Sequence, residues 1–87
     1  MDSTRLKYKE DLRKWLLEAI KSHGGTASLV DVCKFVWSNY ERELRNYGDR
    51  FFTWQYDIRW IADELRKEGI LSGDLHPRGV WKLAGPR

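Results

Sequence analysis

Three features of the sequence predict an α+β fold in which helices precede a β-hairpin. Trp54, Ile58, Ile61, Ala62 and Leu65 recur at helical spacing and converge on one side of a cylinder. Gly69 stops that pattern, and two apolar extended segments follow, Ile70-Leu71 and Val80-Trp81-Leu83, separated by a polar run with a Gly and a Pro. Two further helical patterns lie ahead of residue 53. Three helices and a C-terminal hairpin, in that order, make a winged helix: a helix-turn-helix core whose third helix can enter a nucleic-acid groove, flanked by the hairpin as a wing.

The first helix is expected over residues 4–22, with Leu12, Leu16, Ala19 and Ile20 inward and Tyr8 and Trp15 at the edge. Its other side carries Lys7, Glu10, Asp11, Lys14, Glu18 and Lys21, alternating in sign, which reads as a solvated face and not as a phosphate-binding one. Gly24 and Gly25 end the helix, and Thr26-Ala27 is a short extended piece. Ser28 and Asp31 have the spacing of a helix start. Leu29, Val32, Cys33, Val36 and Tyr40 then line one face of the second helix. Cys33 falls within that stripe and reads as an inert, buried residue, since no His or second Cys stands at ligand spacing.

Residues 41–52 exceed the three or four residues that usually join helix-turn-helix elements. A short extra helix over Arg42–Asn46, a turn at Gly48-Asp49, and Phe51 and Phe52 anchored to the core would use that length. Thr53 is the expected N-cap of the third helix.

The chain has 87 residues, and residues 1–87 are expected to form a single winged-helix domain. Sixteen Lys and Arg against thirteen Asp and Glu give a net charge of +3, so the placement of basic residues matters more than their sum. The lone Cys33 excludes an intrachain disulfide, and no apolar run reaches membrane-spanning length. Met1 is followed by charged residues without a signal-peptide core, so a cytoplasmic location is expected. Five Trp, four Tyr and three Phe are more than so small a core readily encloses, so some rings are expected at the surface.

With Trp54, Ile58, Ile61 and Leu65 inward, the third helix presents Gln55, Tyr56, Arg59, Asp63, Arg66 and Lys67 outward, with Trp60 at the border. Arg59 suits a guanine edge or a phosphate, Gln55 suits adenine, and Arg66 and Lys67 suit phosphates. Asp63 would repel phosphate, and a salt bridge from Arg59 to Asp63 is the purely structural alternative for Arg59. His76, Arg78 and Lys82 lie in or beside the wing, where sugar and phosphate contacts are expected. His23 is the other histidine and is far from His76 in sequence, so no metal site is expected.

The runs GGTASLVDV, YDIRWIADELRKEGIL and RGVWKL resemble the N-terminal winged-helix domain of Mrr-type restriction endonucleases. The resemblance spans residues 24–83 and is most specific at Arg59-Trp60 with Ala62, at the helix exit from Leu65 to Leu71, and at Arg78-Gly79-Val80-Trp81. In that family the domain precedes a nuclease that cuts modified DNA and is thought to supply DNA binding. The resemblance therefore implies that role for the third helix and the wing. The segment SGDLHPRG is longer than the family's wing tip. The sequence also holds no E-x-K or Q-x-K triplet of the kind that helps such nucleases hold Mg²⁺, and no Ser/His/Asp grouping or Gly-rich phosphate loop.

The expectation is therefore a non-catalytic protein that binds double-stranded DNA, modified or not, through Gln55, Tyr56, Arg59, Asp63, Arg66, Lys67, His76 and Arg78. It would need no cofactor and no metal, and would act as a small regulator of transcription or a defence-related factor. The alternative is a protein-protein interaction module on the same scaffold. There Tyr40, Tyr47, Phe51, Trp37 or Trp60 would form an exposed patch for a partner chain or a homodimer.

Overall fold

The computed structural model describes residues 3–72 and 80–84. Helix α1 (Ser3–Ser22) buries Tyr8, Leu12, Trp15, Leu16, Ala19 and Ile20 along one stripe. Tyr8 and Trp15 are thus core residues and not edge residues. Each is covered by another ring: Tyr47 meets Tyr8 edge-on at 5.1 Å, and Tyr40 stacks on Trp15 at 4.4 Å. The helix ends where the Gly25 amide donates back to the Ile20 carbonyl at 2.9 Å. Gly24 and Gly25 have φ of 78° and 100°, the left-handed region that residues with a Cβ avoid.

That reversal leads into strand β1 (Thr26–Ser28), which pairs antiparallel with β2 (Val80–Lys82) in the register Thr26↔Lys82, Ala27↔Trp81, Ser28↔Val80. The extended piece expected at Thr26-Ala27 is therefore a partner in the sheet. The hairpin expectation needs the opposite correction, because Ile70-Leu71 contributes only a single bridge, Leu71↔Leu83. The Ile70 and Leu71 amides both donate to the Leu65 carbonyl, at 3.0 and 3.3 Å. Closing the helix end consumes these donors, and among the described residues Ser72 N–H to Lys82 O and Ala84 N–H to Ile70 O flank the bridge. Residues 73–79, the expected wing tip, lie outside the described residues.

Helix α2 (Leu29–Arg45) opens with a capping box: the Asp31 amide donates to Ser28 Oγ at 3.0 Å and the Ser28 amide to Asp31 Oδ2 at 3.4 Å. The separate short helix expected over Arg42–Asn46 is instead the far end of α2 beyond a kink at Tyr40 (φ −131°, ψ 21°). Asn39 Nδ2 donates to the Phe35 carbonyl at 2.8 Å just before the kink, and Tyr40 is held aside by Trp15 and by donating its hydroxyl to Glu18. A 3-10 helix (Gly48–Phe52), entered through Gly48 at φ 68°, replaces the expected turn.

Helix α3 (Trp54–Lys67) buries the expected five residues, Trp54, Ile58, Ile61, Ala62 and Leu65. Thr53 occupies the N-cap position without capping through its side chain, because its hydroxyl donates to Asp57 Oδ2 at 3.0 Å. The three helices and the two-stranded antiparallel sheet share one core, which Ala27, Leu71 and Trp81 close from the sheet side. The fold is α+β. No helix among the described residues is long and apolar enough to cross a membrane.

Candidate functional site

The outward arc of α3 contains the expected side chains. Gln55, Tyr56, Arg59 and Lys67 are exposed, and Asp63 and Arg66 are half-buried. The electrostatics differ from expectation. Asp63 binds Arg66 at 2.8 Å and Lys67 at 3.4 Å, and not Arg59. Arg66 and Lys67 follow Asp63 at i+3 and i+4, the favourable order of acid before base, whereas Arg59 precedes it by four in the weaker order. The Arg66 hydrogen bond, then that of Lys67, holds the Asp63 carboxyl below the usual carboxylate range. Asp63 is thereby neutralised in place, at the cost of tying up two of the cations expected on phosphates.

The remaining carboxylates of α3 are engaged as well. Asp57 accepts from the Tyr8 hydroxyl at 2.6 Å and from Thr53, and Glu64 pairs with Lys9 of α1 at 3.2 Å. Just past the helix, Glu68 takes a two-pronged bond from Arg13, at 2.9 and 3.0 Å, which lowers the Glu68 carboxyl and raises the Arg13 guanidinium. Arg59 alone among the cations of α3 has no ion pair among the described residues. His76 and Arg78 lie outside the described residues, and Lys82 is exposed on β2.

The aromatics divide in a way that was only partly foreseen. Tyr40, Tyr47 and Phe51 are half-buried against the core, and the Arg45 guanidinium sits 4.6 Å from the Phe51 ring and 5.7 Å from Trp37. Phe52, expected to anchor its segment, is 82% exposed, since the 3-10 turn gives the inward position to Phe51. Tyr56 is 77% and Trp60 56% exposed. Tyr56 and Trp60 thus share an exposed face of α3 at i and i+4, and Phe52 is exposed in the turn just before that helix, against the expectation that it faces inward. The Lys9 ammonium lies 4.9 Å from the Trp60 ring centroid and holds that ring at the α1 side.

Two grooves flank α3. On the α1 side, Leu6, Tyr8, Lys9, Leu12, Asp57, Trp60 and Ile61 line one of about 420 Å³. On the α2 side, Leu29, Val30, Cys33, Lys34, Trp37 and Gln55 line another of about 460 Å³. Cys33 is half-buried there, not enclosed as expected, and burial pushes its thiol pKa up, which leaves it a weak nucleophile. The described residues contain no group of three or more His, Cys, Asp or Glu placed to hold a metal ion. Comparison with known proteins finds no family model, no curated protein and no solved structure that matches the chain.

Proposed function

We propose that this α+β unit is a winged helix that binds double-stranded DNA without catalysing a reaction on it, with α3 as the groove-reading element. The observation that carries the reading is the charge state of α3. Its carboxylates are each occupied by a donor from this chain, while Arg59 projects from the outward arc with no carboxylate partner among the described residues. Such a face offers a free guanidinium to a base edge or a phosphate, with Gln55 and Tyr56 one turn before it and Lys67 two turns after. The resemblance of residues 24–83 to the Mrr-type DNA-binding domain supports the same reading.

Binding of the protein to a random duplex at a series of salt concentrations tests this function. With Arg66 and Lys67 held by Asp63, neutralisation of about three phosphates by Arg59, Arg78 and a neighbour gives log K against log[salt] a slope of about −3. Absence of duplex binding at low salt, or binding independent of salt, refutes it. The exposed Phe52, Tyr56 and Trp60 favour a second reading, contact with a protein partner or a second copy, and sedimentation at rising protein concentration tests for the copy.

A further inference from the structure

Phe52 and Trp60, exposed to either side of Tyr56 in sequence, are rings that the duplex-binding reading leaves without a role. Tyr56 and Trp60 stand on the outer side of a helix whose inner side is committed to the core, and Phe52 is exposed in the 3-10 turn just before it. Their setting mixes both signs, with Arg59 as the cation that has no ion pair among the described residues. Arg59 lies between Tyr56 and Trp60 in sequence without an ion pair among the described residues, Lys67 stands at the C-terminal end of the arc, and Lys9 sits against Trp60. Asp57, Asp63 and Glu64, the carboxylates nearest the rings on α3, are each satisfied by donors from the chain.

We propose that Tyr56 and Trp60, with Phe52 in the turn before them, form a stacking platform for unpaired bases, so that the DNA this surface prefers is a duplex interrupted by a short single-stranded stretch. The inference rests on the DNA-binding reading and names its substrate class. Aromatic rings beside cations suit single strands, because each base offers a π-face for stacking and each phosphate a charge for Lys or Arg. Spacing excludes an intact duplex as the partner of the rings. Residues four apart on a helix are separated by about 6 Å of rise, against about 3.4 Å between stacked bases of one strand. Two rings so placed accept bases that have already come apart. Lys9 lies 4.9 Å from the Trp60 ring, which stays 56% exposed, and Arg59, three residues after Tyr56 on the same helix, is the cation assigned to the intervening phosphate. Charge also argues against an apolar protein partner, which would have to cover Arg59 without offering it an anion.

The test compares three labelled DNAs by fluorescence anisotropy at one salt concentration: an intact duplex, the same duplex with a central bulge of unpaired thymines, and the single strand. The bulged duplex is expected to bind about tenfold or more tighter than the intact one, with quenching of tryptophan fluorescence. Trp60→Ala should remove most of that preference and leave intact-duplex affinity within about twofold; Tyr56→Ala should remove most of the preference as well, while Tyr56→Phe, which keeps the ring, retains it. Both positions are exposed, and circular dichroism of each variant checks that the fold is kept. Equal affinity for bulged and intact duplexes overturns the stacking inference and spares the DNA-binding reading. A preference that survives both alanine variants overturns it too. Failure to bind any of the three DNAs overturns both, and self-association abolished by the same variants without any bulge preference assigns the rings to a second copy of the chain.

Discussion

The Tyr8 hydroxyl donates to Asp57 Oδ2 at 2.6 Å, which ties the first helix to the first turn of α3 across 49 residues of sequence. Tyr47 makes a bond of the same kind to Asp11 at 2.6 Å, and Tyr40 to Glu18. A phenol of α2 and one from the turn after it thus reach carboxylates on α1, and a phenol of α1 reaches α3. The Tyr8 bond holds the end of α3 at which Gln55, Tyr56 and Arg59 stand. Tyr8→Phe keeps the ring packed on Tyr47 and deletes only the hydroxyl, so it should destabilise the protein by about 1 to 2 kcal/mol in urea denaturation. An unchanged midpoint would show that the bond does not hold α3.

The other two phenols give stability an alkaline limit. Donation to the Glu18 carboxylate, with desolvation and neighbouring acids adding to it, pushes the Tyr40 pKa up to about 12, and burial followed by the Asp11 bond raises Tyr47 as well. A folded-state pKa above the unfolded value of about 10 means that these groups stabilise the fold fully below that pH. The contribution is lost as pH rises through the folded value. Thermal midpoints should therefore fall from about pH 10 upward, and Tyr40→Phe should flatten part of that fall. A phenolate absorbance titration in which Tyr40→Phe removes a component at the ordinary tyrosine pKa would contradict the assignment.

Helix α2 starts on Ser28 and Asp31, whose reciprocal bonds satisfy two amide groups. Ser28→Ala should cost about 1 kcal/mol. The Ser28 backbone and then its hydroxyl lower the Asp31 pKa, so the stabilisation from Asp31 is present above the ordinary carboxylate pKa and is lost as pH falls through the lowered one. Asp31→Asn should accordingly make the acid limb of a stability-pH curve shallower. An identical acid limb in that variant refutes a role for the charge.

Residues whose place follows from periodicity were legible in the sequence. The five buried positions of α3, the Ser28 cap and the glycine exit of α1 all express local rules of spacing and backbone conformation. What escaped were choices made by tertiary competition. Phe51 and Phe52 are equivalent in sequence, and only the 3-10 turn decides which ring faces Trp37 and which faces water. Ile70 and Leu71 look like a strand, yet their amides close α3, and the strand role passes to Thr26–Ser28. On the candidate site, side-chain composition identified the outward arc but not the pairing within it. Asp63 stands about one turn from each of three cations of its own helix, and it pairs with Arg66 and Lys67 and not with Arg59.

That pairing supplies the last prediction, which separates charge from readout on α3. Surface ion pairs are worth about 0.2 to 1 kcal/mol, so Asp63→Asn should barely change stability. It should nevertheless tighten duplex binding several-fold at low salt, because it removes a negative charge from the arc and frees Arg66 and Lys67 for phosphates, and it should steepen the salt dependence. Arg59→Ala acts on a residue with no ion pair to lose among the described residues, so its stability cost should be smaller still. If Arg59 reads a guanine, the variant should lose about 1 to 3 kcal/mol of discrimination at a preferred site while random duplex is affected less. If it holds a phosphate instead, the loss should be uniform across sequences and the salt slope should fall by about one. Asp63→Asn that weakens duplex binding would mean that Arg66 and Lys67 are held for DNA by Asp63, as positioned donors. Arg59→Ala that leaves every affinity unchanged would remove α3 from the DNA-binding surface.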